Sequence, residues 1–327
     1  MKILQTIPYM LASQGGPSTC TCDLLEGLFK LGVSIELLTA NPVIVGGIDT
    51  DVILGEGRPW MNLFECDYFT PLALSKNVDK FLQEKQYEIY HANTLWLYIT
   101  HATCYHARKN GKPYLLSTHG MLYPSALKVS RLKKKLAGSL WFKNDILNAS
   151  CIHATCQQEM EHIRAFGFKG PIAVIPNPVV VPKKISLEYI REIKKSKNHS
   201  TKQIGFLGRL DPIKKVENVI YALALLRDKD ISEFSFQIMG KFDKSYEAFL
   251  KAEVKRLNLE NSVTFVGIVS GIDKYERLLR LSALMVPSEQ ENFGMIIPEA
   301  LISGTPVYAS TGTPWSELNE HSCGWWK

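Results

Sequence analysis

The chain contains 327 residues, of which 46% are hydrophobic, and this length is enough for two domains with separate cores. Its formal net charge of +6 suits anionic small molecules or an anionic membrane surface, and it does not call for nucleic acid as a partner. The seven cysteines are scattered and odd in number, which argues against a disulfide framework and predicts a reducing, cytoplasmic location. No apolar run approaches the length of a membrane span.

Strand and helix patterns alternate along the first half of the chain, which predicts an α/β fold with a parallel sheet. The predicted strands are residues 3–7, 33–39, 87–91, 114–118, 151–155 and 172–175. The predicted helices are residues 17–31, 95–109 and 157–166. The stretch 40–77 is rich in turn residues and receives no assignment.

A second cycle of the same kind begins after a linker. Pro176-Asn177-Pro178 and the residues up to Lys184 read as this linker, followed by a polar, basic stretch to Lys202. Predicted strands then cover 204–207, 236–239, 263–266 and 283–286, and predicted helices 216–227, 246–257, 274–281 and 295–302. We therefore predict two Rossmann-like, doubly wound domains, residues 1–178 and 179–327, with ligands at the carboxyl ends of the strands.

The stretch from Pro287 to Ala300 carries the strongest functional pattern. An apolar strand ends at Pro287, Gly294 permits a tight turn, and a helix follows, so free N–H groups face an anion. Glu291 lies on the loop and Glu299 about one turn inside the helix. A nucleotide-sugar, with phosphates in the middle and hydroxyl-bearing sugars at both ends, would use all of these features. The alternative is a surface loop with two solvated acids.

A Glu followed by seven residues and a second Glu resembles the signature of glycosyltransferase family 4. The resemblance implies the GT-B fold, in which two Rossmann-like domains face a central cleft. It also implies that Glu291 contacts the donor sugar and that Glu299 holds the nucleotide ribose. The backbone of Asn292, Phe293 and Gly294 would meet the sugar and the phosphates.

Two further motifs extend this resemblance to the donor diphosphate. Gly208-Arg209-Leu210, followed by Lys214, stands after the opening strand of the second domain, where two cations suit a diphosphate. The family usually has glycine after this lysine, and this chain has Lys215, which puts the local turn in question. Gly15 and Gly16 match a Gly-Gly of the family before the first helix, which implies contacts with the donor phosphates; a Gly-Gly alone is usually a turn.

His119 follows a buried strand of the first domain, at its carboxyl end. On position alone, a structural histidine bonded to the backbone is an equal alternative. Family members carry a similar His-Gly near the transferred sugar, which implies that His119 orients or stabilises the reacting centre. His91, Asn93 and Trp96 at a neighbouring strand end are candidates for the acceptor side, with core packing as the favoured role.

Asp49-Thr50-Asp51 raises the alternative of a divalent metal bound to the diphosphate. Because it lies among glycines with no buried strand before it, we favour a solvated turn. We therefore predict no metal and no cofactor, with a nucleotide-diphosphate sugar of UDP or GDP type as the donor substrate.

The segment from Lys128 to Lys143 combines a basic face with an apolar one, which is typical of a helix at an anionic membrane surface. An ordinary core-facing helix with solvated lysines explains the pattern equally well. A peripheral position at the inner membrane face would suit a lipid-linked acceptor.

The resemblance implies a retaining, metal-independent glycosyltransferase that acts on a glycan or lipid-linked acceptor, in cell-surface polysaccharide biosynthesis. The alternatives are a nucleotide-sugar epimerase of the same fold and a non-catalytic nucleotide-sugar-binding relative. A dehydrogenase is disfavoured because no strand-linked Gly-x-Gly-x-x-Gly is followed by the acidic residue that NAD binding needs. Family members usually continue through further helices beyond the position of Lys327, so we expect those helices to be missing.

Overall fold

The computed structural model describes residues 1–12, 15–41, 52–65, 74–128, 141–195, 202–231, 233–240 and 243–327. The chain divides into two compact units, Met1–Pro178 and Val179–Lys327, which we call unit 1 and unit 2. Each unit is built on one sheet of parallel strands with helices between them, and the predicted α/β class is confirmed.

Unit 1 contains a seven-stranded parallel sheet in the order β3-β2-β1-β4-β5-β6-β7. Its strands are β1 (Lys2–Thr6), β2 (Ser34–Ala40), β3 (Met61–Phe64), β4 (Ile89–Asn93), β5 (Tyr114–Ser117), β6 (Cys151–Ala154) and β7 (Ile172–Val174). Its helices are α1 (Gly16–Lys30), α2 (Lys76–Glu84), α3 (Tyr98–Lys109), α4 (Pro124–Lys128), α5 (Lys143–Leu147) and α6 (Gln157–Phe166).

Unit 2 contains a six-stranded parallel sheet in the order β10-β9-β8-β11-β12-β13. Its strands are β8 (Lys202–Leu207), β9 (Phe234–Met239), β10 (Val263–Gly267), β11 (Ala283–Val286), β12 (Val307–Ala309) and β13 (Gly324–Trp326). Its helices are α7 (Leu187–Lys195), α8 (Val216–Arg227), α9 (Lys244–Arg256), α10 (Gly271–Arg280), α11 (Ile296–Ile302) and α12 (Glu317–Glu320).

Apolar side chains cover both faces of each sheet. Successive side chains of a strand point to opposite faces, so Leu37 and Leu38 in β2 belong to two different core clusters. Phe206 and Leu207 in β8 divide in the same way between two clusters of unit 2. The strands therefore read as continuous apolar runs, as expected of parallel strands buried on both faces.

Several elements lie where no element, or one with other bounds, was predicted from the sequence. Strand β3 lies within the unassigned stretch 40–77, helix α2 begins at its end, and helix α7 lies in the polar, basic stretch that leads to Lys202. Strands β12 and β13 and helices α4 and α12 also lie where no element was predicted. Helix α3 begins at Tyr98, not at the predicted Leu95, because Thr94 and Trp96 have φ angles of 69° and 72°. A left-handed backbone cannot continue a right-handed helix.

The basic segment is described only at its two ends. Phe142 is 1% exposed and packs its ring on that of Trp96, with centroids 5.5 Å apart, so this part of the apolar face belongs to the core of unit 1. Residues 129–140 lie outside the described residues, and membrane contact stays a prediction. Among the helices that the structure describes, none combines the length and the apolar character needed to cross a lipid bilayer.

Candidate functional site

The strand order places the two main motifs of unit 2 next to each other. The order reverses between β8 and β11, and doubly wound sheets bind ligands at such a reversal, outside the carboxyl ends of the strands. The loop after β8 carries Arg209 and Lys214, and the loop after β11 carries Glu291. The backbone N–H of Glu289 donates to the carbonyl of Ile213 (2.8 Å), which joins the two loops directly.

Lys214 and Glu291 form an ion pair at this reversal. The Lys214 Nζ lies 2.5 Å from Glu291 Oε1, and the hydroxyl of Ser288 donates to the same oxygen at 2.8 Å. Both side chains are largely buried, with 17% and 13% of their surfaces exposed. The pair places one cation and one carboxylate, each held in position, at the carboxyl ends of two neighbouring strands.

Glu299 has its own lysine. It lies on α11, is 6% exposed, and its Oε1 accepts a hydrogen bond from the Nζ of Lys274 at 2.6 Å. Lys274 belongs to α10, so the pair joins the two helices that flank β11 in sequence. The sequence did not single out Lys274, because a lysine in the first turn of a helix ordinarily faces water.

Arg209 and Lys215 differ in their surroundings from the buried pairs. The Arg209 side chain is 67% exposed, and its nearest charged partner is Asp211 at 4.0 Å. Lys215 has φ 51° and ψ 39°, so it adopts the left-handed conformation that a glycine would accept without strain. The turn is thus formed with lysine at this position, and Lys215 pairs with the exposed Glu289 at 3.1 Å.

The loop Asn292-Phe293-Gly294 is supported from behind by a second loop. Gly294 has φ 76°, as the tight turn requires, and its carbonyl accepts the N–H of Ile297 at 2.8 Å. Trp315 donates its indole N–H to the carbonyl of Phe293 at 2.5 Å and packs on the Phe293 ring, with centroids 5.3 Å apart. Gly312 accepts the N–H of Glu291 at 2.8 Å.

No Cβ fits at Gly312, because it would lie 2.2 Å from the carbonyl oxygen of Glu289. This supporting loop was missed at the sequence level. Thr313-Pro314-Trp315 was its signal, since a partly buried tryptophan in a loop needs a partner for its N–H.

In unit 1, the strand order reverses between β1 and β4; Gly15 lies on the connection after β1, and His119 follows β5, the neighbour of β4. Gly15 has φ 74° and precedes α1, whose first residues are Gly16 and Pro17. A Cβ on Gly15 would meet nothing within 4 Å, so the backbone conformation, and not lack of space, requires the glycine here.

His119 lies on the turn after β5 with φ 47°, and its Nε2 is 3.2 Å from Asn93 Oδ1. The Asn93 amide donates to Gln5 and to the carbonyl of Thr6, which leaves Oδ1 as the acceptor and the proton on His119 Nε2. Burial lowers the pKa of His119 to about 4, so the ring is neutral at pH 7. Its Nδ1 therefore has a free lone pair with no donor among the described residues.

Glu159 holds the turn that carries His119. One carboxylate oxygen accepts the Thr118 hydroxyl (2.7 Å) and the Gly120 N–H (2.6 Å), and the other accepts the N–H and hydroxyl of Thr155 (both 2.8 Å). Burial raises the pKa of this carboxyl, but these four donors outweigh it and lower the pKa below its usual value. This role could not be predicted from the sequence, because a glutamate in the first turn of a helix usually caps it in solvent.

His91, a candidate for the acceptor side with core packing as the favoured role, is hydrogen-bonded to the neighbouring strand. Its Nε2 lies 2.7 Å from the Ser117 hydroxyl, which lies 2.9 Å from His153 Nδ1, and His153 Nε2 donates to the carbonyl of Ile175. Burial, with smaller effects of His153 and His119, lowers the pKa of His91 to about 3. These contacts place His91 in a hydrogen-bonded ladder across β4, β5 and β6.

Within the described ranges, no group of three or more His, Cys, Asp and Glu side chains is arranged to hold a metal ion. Asp49 and Asp51, the candidates from the sequence, lie outside the described residues.

Two family models match the chain. Residues 15–178 match the glycosyl transferase 4-like domain, and residues 190–326 match the glycosyl transferases group 1. The chain therefore belongs to the group 1 glycosyl transferases with a 4-like N-terminal domain, as the spacing of Glu291 and Glu299 predicted.

Individual relatives match parts of the chain. A "lipopolysaccharide core biosynthesis mannosyltransferase" of Rhizobium leguminosarum bv. viciae is 30% identical over 118 residues, which are 35% of this chain and 33% of that protein. A Klebsiella pneumoniae protein described as an "uncharacterized 41.2 kDa protein in cps region" is 29% identical over 143 residues, 43% of this chain and 37% of that protein. The matched segments thus span about a third of these relatives.

Among solved structures, Anabaena HepE in complex with UDP-glucose has a TM-score of 0.73 at 22% identity. The match covers 100% of this chain and 85% of that chain. The GT-B fold, with two Rossmann-like doubly wound domains, is confirmed.

Proposed function

We propose that the protein is a retaining, metal-independent glycosyltransferase that moves a sugar from a nucleotide-diphosphate sugar to a glycan or lipid-linked acceptor. The observation that carries the proposal is the pairing of Lys214 with Glu291 and of Lys274 with Glu299 beside one strand-order reversal. Two partly buried cations and two carboxylates, each paired, at such a place suit a ligand that combines phosphates with hydroxyl groups.

In this proposal, the cations of unit 2 bind the diphosphate. Arg209 has an exposed guanidinium with a planar fork for two phosphate oxygens. When the nucleotide-sugar binds, the Lys214 ammonium exchanges its hydrogen bond with Glu291 for one with the diphosphate. Both positive charges then lie where negative charge develops as the diphosphate leaves. Such charges lower the activation barrier most effectively when they are held in position before the reaction.

The carboxylates bind the two ends of the donor. Glu291 faces the sugar and stabilises the positive charge that develops at the anomeric carbon, and Glu299 holds the ribose. No residue of the site is assigned as a covalent nucleophile. The attacking hydroxyl of the acceptor gives its proton to the leaving phosphate on the same face of the sugar, which gives retention. In unit 1, the neutral His119 offers its Nδ1 as an acceptor for a sugar hydroxyl.

The substrate class rests on the relatives. HepE was solved with UDP and UDP-glucose, which supports a UDP-sugar as donor for this chain. The lipopolysaccharide and cps descriptions of the relatives support an acceptor of cell-surface polysaccharide biosynthesis. We propose that the protein works in the cytoplasm and contacts an anionic membrane through the segment from Lys128 to Lys143.

Thermal unfolding of the purified protein with UDP, GDP and ADP, each with and without EDTA, tests this proposal. A nucleotide at 100 times its Kd adds about 2.7 kcal/mol to the free energy of unfolding, which we expect to raise Tm by about 5 °C with UDP. The increase should survive EDTA. A shift that requires a divalent metal contradicts the metal-independent mechanism, and no shift with any nucleotide contradicts the proposed donor site.

Arg209→Ala is expected to weaken UDP binding by about 2–3 kcal/mol, the scale of a charge-assisted hydrogen bond, which is roughly 30- to 150-fold in Kd. Isothermal titration calorimetry measures this change. Arg191→Ala, which removes an exposed arginine of α7, is the matched control and should leave Kd unchanged. An unaltered Kd for Arg209→Ala removes this residue from the site.

A further inference from the structure

Lys274 and Glu299 leave complementary groups open to a ligand. The ammonium of Lys274 has three N–H donors, and Glu299 Oε1 takes one of them. The other carboxylate oxygen, Oε2, accepts no hydrogen bond from the described part of the chain. The Lys274 side chain is 21% exposed and therefore partly accessible to a ligand, whereas the Glu299 side chain is 8% exposed.

An acceptor oxygen beside an ammonium matches the chemistry of a vicinal diol. One hydroxyl donates to the carboxylate, and the oxygen of the neighbouring hydroxyl accepts from the ammonium. A single hydroxyl uses only half of this arrangement, and a phosphate, which has no hydrogen to donate, is repelled by the carboxylate. The pair therefore selects a diol over a phosphate at this end of the site.

We infer that Lys274 is a specificity-determining residue that, together with Glu299, binds the 2′,3′-diol of the nucleotide ribose. The inference rests on the proposed function, because it assumes a nucleotide donor in unit 2. It goes beyond that function by assigning a ligand contact to a residue of α10, outside the loops that follow β8 and β11.

The surroundings of Lys274 hold its ammonium in place. Its Nζ lies 5.0 Å from the centre of the Tyr275 ring, and the Tyr275 hydroxyl donates to the carbonyl of Val180 at 3.0 Å. Tyr275 is itself buried among Ile185 and Leu279. The first turn of α10 is thus anchored, so the ammonium does not have to be ordered when the ligand binds, and this lowers the entropic cost of binding.

The alternative is a purely structural ion pair between α10 and α11. The two explanations differ in one measurable respect, which is the response to removal of a ribose hydroxyl. A structural pair affects UDP and its deoxy analogues equally, whereas a diol-binding pair makes the protein sensitive to the missing hydroxyl. A diol could also come from the transferred sugar, so the probes are UDP, 2′-deoxy-UDP and 3′-deoxy-UDP, which contain no transferred sugar.

We expect the wild-type protein to bind UDP at least about tenfold more tightly than one of the two deoxy analogues, the scale of one hydrogen bond to a charged group. In Lys274→Met, UDP binding should weaken by about tenfold. The ratio of the Kd for that deoxy analogue to the Kd for UDP should fall towards one. Lys251→Met, which removes an exposed lysine paired with Glu247 on α9, is the control and should keep both values.

Each contrary outcome has one meaning. Equal affinity of the wild-type protein for all three nucleotides overturns the inference without any variant, so it does not depend on whether Lys274→Met folds. If a folded Lys274→Met keeps the wild-type preference for UDP over the deoxy analogue, Lys274 is a structural residue. This result overturns the inference and leaves the proposed function intact. Failure of the wild-type protein to bind UDP, GDP or ADP overturns the proposed function and the inference with it.

Discussion

Glu291→Gln is expected to lower kcat by about 10²- to 10³-fold, the effect of removing one preorganised electrostatic contact from a transition state. Glutamine keeps the shape and can still accept from the Ser288 hydroxyl, but it brings no negative charge to the anomeric carbon. Donor affinity should be kept or increased, because the variant frees the Lys214 ammonium from its carboxylate for the diphosphate. Initial rates at saturating donor, together with Kd from calorimetry, separate the two quantities.

Glu289→Gln is the matched control for this experiment. Glu289 lies two residues earlier on the same loop, but its side chain is 67% exposed and pairs only with Lys215 at 3.1 Å among the described residues. The kcat of the Glu289→Gln variant should stay within about twofold of wild type, because most surface substitutions have small effects. A Glu291→Gln variant with normal turnover would show that the carboxylate has no part in the transition state.

Glu159→Gln is expected to destabilise the protein by about 3 kcal/mol, because an amide N–H₂ would face donors that now have no acceptor. This corresponds to a decrease in Tm of roughly 6–12 °C for a unit of this size. The four hydrogen bonds concerned join the ends of β5 and β6, so the loss falls on unit 1. Urea denaturation followed by circular dichroism measures it.

The same carboxylate makes the stability depend on pH. Its pKa in the folded protein lies below that of the unfolded chain, so its contribution is fully present above about pH 4.3 and is lost as the pH falls towards the folded-state pKa. The difference between wild type and Glu159→Gln should therefore be constant near neutral pH and shrink below about pH 4. Glu161→Gln, on the exposed side of the same helix, should show the same stability as wild type at every pH. If the stability of Glu159→Gln also coincided with that of wild type at every pH, the role assigned to Glu159 would be contradicted.

The fold was largely predictable because parallel strands buried on both faces give continuous apolar runs. Helix α8 has the predicted bounds, and strand β11 leads into the predicted loop and helix. Strand β3 was not recognisable in Met61–Phe64, since an edge strand of four residues contains too few positions to show a pattern. Helix α7 was hidden because its charges dominate the composition, although Ile190 and Ile193 pack against Tyr275 and Leu279.

The candidate site was predictable where a motif concentrates several unusual residues in one stretch. Glu291, Glu299 and Gly294 belong to such a stretch, and Lys214 was found by its position after β8. Lys274 and Glu159 could not be found in this way, because their importance lies in contacts with residues 25 and 39 to 41 positions away in the chain. A single sequence gives no measure of such distant contacts.

The contact between Trp315 and Phe293 provides the molecule with an optical reporter of its own. The indole is hydrogen-bonded to the backbone of the loop that we assign to the donor, and its ring packs on that loop. Any rearrangement of the loop changes the polarity around this fluorophore, so titrations with nucleotides can be followed by intrinsic emission without a label. Trp315→Phe, which keeps an aromatic ring on Phe293, supplies the blank against which the signal of the other tryptophans is subtracted.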